Sequence, residues 1–161
     1  MDKTERDDLR KRIRIKLSSM ERRLGGLMTR LKAVTEEEFQ TSELLEEFAF
    51  ARLYKTSQDM VELASLALLW EEKTPPQETS ERLKLLQAMG ILPADLTSSL
   101  LGMEQFFGTL SDCHEELEDK DLYRFATVDA YSLLAFSEKV RDYLVEQSGY
   151  SIEWEDSDGG M

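Results

Sequence analysis

The chain has 161 residues, a hydrophobic fraction of 41% and a formal net charge of −13. That is enough chain for one domain to bury about 70% of its extended-chain surface without disulfides or metal. The single cysteine excludes an internal disulfide and fits a reducing compartment. No apolar run approaches the ~18 residues of a membrane span. The charged start, MDKTERDDLRKR, is not a secretory signal, so the expected location is the cytoplasm.

The charge is unevenly placed. Residues 1–32 hold 11 Lys/Arg and 5 Asp/Glu, so the acidity lies in the rest of the chain. An acidic body argues against gripping nucleic acid, because phosphate contacts dominate that affinity. The basic first segment reads either as a solvated helix face or as a surface for an acidic partner.

Residues 8–34 are predicted to form a long amphipathic helix. Ile13, Leu17, Met20, Leu24, Leu27, Leu31 and Val34 alternate at four and three, a stripe that packs along another helix. Gly25-Gly26 costs about 1 kcal/mol per glycine relative to alanine and suggests a tight helix crossing or slight bend. Thr35 with Glu38 reads as a capping box, followed by a short turn around Phe39 and a second cap at Thr41 or Ser42. A second long helix runs from there to about Glu72, apolar over so much of its girth that it must lie inside a bundle or interface.

Thr74-Pro75-Pro76-Gln77 is the clearest break. The prolines end one helix, and Thr74 with Gln77 can cap a short one over about 76–89. Gly90 is its natural terminator. A helix over 93–116 follows, with Pro93 in its first turn and Leu96, Leu100, Met103, Phe107 and Leu110 on one face. Residues 121–147 form the last helix. Residues 149–161 are expected to be an acidic, frayed tail in which Ile152 and Trp154 could dock a turn. The expectation is therefore all-α: an antiparallel bundle of four long helices plus a short one, one domain over 1–148, with no strand and no fixed-period repeat.

The end of the 93–116 helix candidate and the residues after it gather Asp112, Cys113, the only histidine (His114), Glu115, Glu116, Glu118 and Asp119. Adjacent helical residues point about 100° apart, so Cys113 and His114 do not share an ion easily. No second histidine or paired Glu-x-x-His exists, so neither metal nor cofactor is expected. As a catalytic imidazole His114 lacks a placed nucleophile.

The stretch LLQAMGILPADLTSSLLGMEQFFGTLSDCHEELEDKDLY resembles the HepT-like family, helical-bundle toxin partners of minimal nucleotidyltransferases. The family runs Gly-Ile-[Ile/Leu]-Pro, then Met-x-x-Phe-Arg-Asn-x-Leu-Val-His-x-Tyr, then an acidic turn and Leu-Tyr. Gly90, Ile91, Leu92, Pro93, Met103, Phe106, Leu110, Leu122 and Tyr123 match it. The family's arginine falls on Phe107, its asparagine on Gly108, its histidine on Asp112 and its modified tyrosine on His114. The resemblance implies that an arginine and a histidine cleave RNA; phenylalanine cannot bind phosphate and aspartate repels it.

The resemblance therefore implies a HepT-like scaffold without the chemistry. Its expected role is a dimeric binding or regulatory subunit paired with a minimal nucleotidyltransferase in a toxin–antitoxin-like system. Phe106, Phe107 and Tyr123 are the interface candidates. The alternatives are a residual ribonuclease using His114 and an unrelated helical scaffold.

Overall fold

The computed structural model describes residues 1–113 and 119–148, the side chains of 105–120 and of Ser148 excepted. Over that range the chain is all helix, with no strand among the described residues. α1 (Lys3–Leu31), α2 (Glu36–Gln40), α3 (Glu43–Trp70), α4 (Thr79–Ala88) and α5 (Ala94–Cys113) come first. Then α6 (Asp119–Arg124) passes through a π turn (Phe125–Asp129) into α7 (Ala130–Ser148) as one fused helix. Six helices thus replace the expected four long and one short among the described residues.

α1 begins five residues before the expected start. Asp2 accepts a hydrogen bond from the Glu5 amide (2.8 Å), and Glu5 accepts one from the Asp2 amide (2.9 Å). This reciprocal cap sits among charges, where hydrophobic periodicity is silent. The buried stripe then runs from Leu9 through Ile13, Leu17, Met20, Leu24 and Leu27 to Leu31. It faces α3, which runs antiparallel: Arg6 lies over Trp70, Lys16 meets Asp59, and Gly26 meets Arg52. A Cβ on Gly26 would come within 3.2 Å of the Arg52 guanidinium, the far end of a flexible side chain, and Gly25 faces open space.

The region around Phe39 is a helix, not a turn. Thr35 accepts from the Glu38 amide at 3.1 Å, and Ser42 does the same for Leu45 at 3.2 Å. Between these caps α2 drops Phe39, fully buried, into the core.

α3 and α4 end in the same motif with different residues. After α4, Gly90 takes φ +81, its amide bonds the Gln87 carbonyl, and Ile91 bonds the Leu86 carbonyl. After α3, Glu72 takes φ 58, with Glu72 bonding Leu69 and Lys73 bonding Leu68. The helix stops at Trp70 because Glu72 is already left-handed. The expected Thr74–Gln77 cap does not form: the cap position is Glu78, whose side chain makes no cap hydrogen bond. Arg82 instead donates to the Pro76 and Gln77 carbonyls, holding the diproline loop against α4.

α7 packs on both α1 and α3. Leu133, Phe136, Val140 and Leu144 are fully buried on its inner face. Tyr123, at the start of the fused helix, bonds Val34 just past α1, and Arg141 bonds Glu21 further back along α1 at 2.6 Å, so α7 also runs antiparallel to α1.

Candidate functional site

The backbone of Phe106, Phe107, Gly108 and Asp112 is helical in α5. Their side chains, and His114 altogether, lie outside the described residues. The flanking family matches are described. Gly90 is the helix terminator, Ile91 and Leu92 are buried behind it, and Met103 and Leu122 are core residues. Thr97 returns its hydroxyl to the Pro93 carbonyl at 3.0 Å, closing the first turn of α5.

Tyr123 has a defined position. Its ring meets Phe39 at 5.3 Å between centroids, tilted by 51°. Its hydroxyl donates to the Val34 carbonyl at 3.2 Å. Tyr123 therefore ties the fused last helix to the α1–α2 connection, with one flank left on a surface cavity.

That cavity, about 500 Å³, lies between the end of α1, the following turn and the π turn. The Ala130 amide reaches back five residues to the Phe125 carbonyl. Thr127 donates its hydroxyl to the Tyr123 carbonyl at 2.7 Å, supplying a partner to backbone that the π turn displaces from α register. π turns of this kind are frequent at functional sites. Here the turn places Thr127 and Ala126 on the cavity wall and leaves Val128 and Tyr131 60% and 57% exposed. With Lys32, Thr29 and Met28 opposite, the rim offers an ammonium, hydroxyls and ring surface. Such a mixture suits binding of a partner chain, since aromatic surface is enriched where interfaces form. Tyr131 and Lys32 did not stand out in the sequence; only the π turn gives them a common edge.

A second recess of about 360 Å³ runs along the seam between α1 and α3. Arg12, Ile15 and Lys16 line one side, Glu62 and Leu69 the other, with Arg82 of α4 at the end. In the same seam, sharing Lys16 with the recess, Asp59 is 5% exposed. It accepts from Lys16 (3.2 Å), Ser19 (3.1 Å) and Arg23, while Lys16 also reaches Glu62 at 2.6 Å. A carboxylate in the middle of a helix apolar over most of its girth requires such partners. That was a signal in the sequence, and only the pairing with α1 identifies the cations. The Lys16 pKa is raised, chiefly by the hydrogen bond to Glu62.

No helix among the described residues is long and apolar enough to cross a membrane. No protein-family model and no curated protein matches the sequence. Among solved structures, a chain of a crystal structure of a toxin–antitoxin with AMP-PNP superposes with a TM-score of 0.73 at 13% identity. The match covers 82% of this chain and 98% of that one. The chain thus shares the helical fold of that toxin–antitoxin component.

Proposed function

We propose that the protein is a HepT-like binding subunit that works without catalysis, as a dimer, beside a minimal nucleotidyltransferase. What carries the reading is the joint fit of fold and local motif. The fold likeness spans nearly all of a toxin–antitoxin chain, and the residues resembling the family pattern are Gly90–Pro93 ahead of α5, Met103 and Phe106 within it, and Leu122–Tyr123 in α6. AMP-PNP, an ATP analogue, belongs to that complex; nucleotide-dependent chemistry in the pair is consistent with a nucleotidyltransferase as the second component. The absence of catalysis rests on Phe107 and Asp112 standing where the family carries arginine and histidine.

The test is co-expression with the neighbouring open reading frame, where a short chain with a Gly-Ser and paired-aspartate nucleotidyltransferase motif is expected. Co-purification at a fixed ratio supports the reading; a neighbour of that kind that never associates counts against it. Light scattering at micromolar protein should give a dimer. Cleavage of RNA that disappears in His114→Ala would replace this reading with that of a working ribonuclease.

A further inference from the structure

The recess between α1 and α3 is unusual for its charge. The protein as a whole is strongly acidic, yet this recess is lined by Arg12, Lys16 and Arg82. Lys16 is paired with Glu62 and Asp59, which leaves Arg12 and Arg82 as its two cations without a carboxylate partner among the described residues. Arg12 is exposed. Arg82 is held by neutral carbonyls, so its charge is not cancelled. Between the cations lies apolar surface: Ile15 is 50% exposed, Leu69 is 36% exposed, and Leu66 forms the floor. Apolar floor and cationic rim together fit a short acidic segment with one or two large apolar side chains.

The chain carries such a segment. Residues 150–158 read Tyr-Ser-Ile-Glu-Trp-Glu-Asp-Ser-Asp, with Ile152 and Trp154 interleaved by Glu153, Glu155, Asp156 and Asp158. We propose that this segment docks in the α1–α3 recess, Ile152 and Trp154 covering Ile15, Leu66 and Leu69, and its carboxylates facing Arg12 and Arg82. The inference does not rest on the HepT-like reading.

Geometry allows it within one molecule. α7 runs toward the end of the bundle where Arg6 meets Trp70, since Tyr143 already lies beside Glu71. The recess is near that end. Glu21, which meets α7, and Ile15 lie on opposite flanks of the α1 core stripe, so the segment must cross one helix, about 10–12 Å wide. Six residues from Ser148 to Trp154 reach up to ~20 Å. A recess of about 360 Å³ has room for an indole and a branched side chain, not for the body of a second bundle. Docked there, the segment shields the exposed Ile15, and a partner using this face has to displace it.

The full chain contains two tryptophans, Trp70 and Trp154, so subtracting the emission of Trp154→Phe isolates the Trp154 signal. The expected signal is blue-shifted and several-fold less quenched by acrylamide than free tryptophan. Arg12→Glu and Ile15→Ser, both at exposed positions, should each lower the docked-to-free ratio by about two- to fivefold, the scale of an exposed ion pair or small apolar contact. Circular dichroism should show both variants equally helical. High salt should act like Arg12→Glu and leave the Ile15 effect in place. A Trp154 as quenchable as free tryptophan, or one shielded but indifferent to both substitutions, overturns the proposal. Shielding that grows with protein concentration overturns it too, by assigning the recess to a second copy.

Discussion

Asp59→Ala removes the carboxylate at the centre of the α1–α3 seam. In the folded protein it accepts from Lys16, Ser19 and Arg23 and is 5% exposed. Truncating one partner of a buried ionic group costs about 3–5 kcal/mol, mostly by leaving charge without compensation. Here the two cations keep 27% and 26% of their side-chain surface, and Lys16 keeps Glu62. Both can turn partly to water, so the loss should fall at or just below the lower end of that range, about 2–3 kcal/mol. At roughly 2–4 °C per kcal/mol for a domain of this size, Tm falls by about 5–10 °C. Asp59→Asn keeps the shape and one acceptor but leaves both cations uncompensated and turns an NH2 toward a donor, so it should cost about 1.5–3 kcal/mol. Urea unfolding of both variants, with Arg23→Ala and the double variant closing a cycle, gives the coupling between the two side chains, expected above about 1 kcal/mol. If Asp59→Ala unfolds within about 0.5 kcal/mol of the parent, the scale of an ordinary surface change, the seam is not held by this carboxylate.

The two left-handed helix ends should respond in opposite directions. Gly90→Ala forces a Cβ into φ +81 and should cost about 1 kcal/mol, whereas Glu72→Gly relieves φ 58 and should gain about 0.5–1 kcal/mol, both read from urea midpoints. Phe39→Ala empties a fully buried ring position and should cost about 3–5 kcal/mol; Tyr123→Phe loses only the hydrogen bond to Val34, about 0.5–1.5 kcal/mol. At alkaline pH two groups act together. The hydrogen bond to Glu62 raises Lys16 above 10.5, and burial with the nearby Glu71 raises Tyr143 above 10.0. The folded chain then holds protons that the unfolded chain has released, so stability is full below those ordinary values and falls as pH climbs through the raised ones. Unfolding followed from pH 9 to 11 should show that decline, and a shallower one in Tyr143→Phe.

Wherever a single element carried its own signal, the sequence was legible. The stripe from Ile13 to Leu31 lies on one buried face because a helix of period 3.6 turns that spacing inward whatever it packs against. Thr35, Ser42 and Gly90 act where they stand because a cap is a contact within a few residues. The start of α1 leaves no periodic signal because Asp2 and Glu5 cap a turn with no apolar face, and α2 leaves none because five residues are too few to show a period. Thr74 and Gln77 had the right chemistry for a cap, but the diproline loop and Arg82 hold the chain elsewhere.

Pairing between distant residues belonged to the tertiary structure alone. Asp59 had to find cations, yet only the antiparallel register of α1 against α3 selects Lys16, Ser19 and Arg23, about forty residues away. The π turn at Phe125–Asp129 leaves no periodic mark, and it is what places Thr127 and Tyr131 beside Lys32. The sequence by itself determined that this chain is a helical bundle, because periodicity and caps are local. Which surfaces it offers was decided by how the helices pack, because a groove or a cavity exists only between elements.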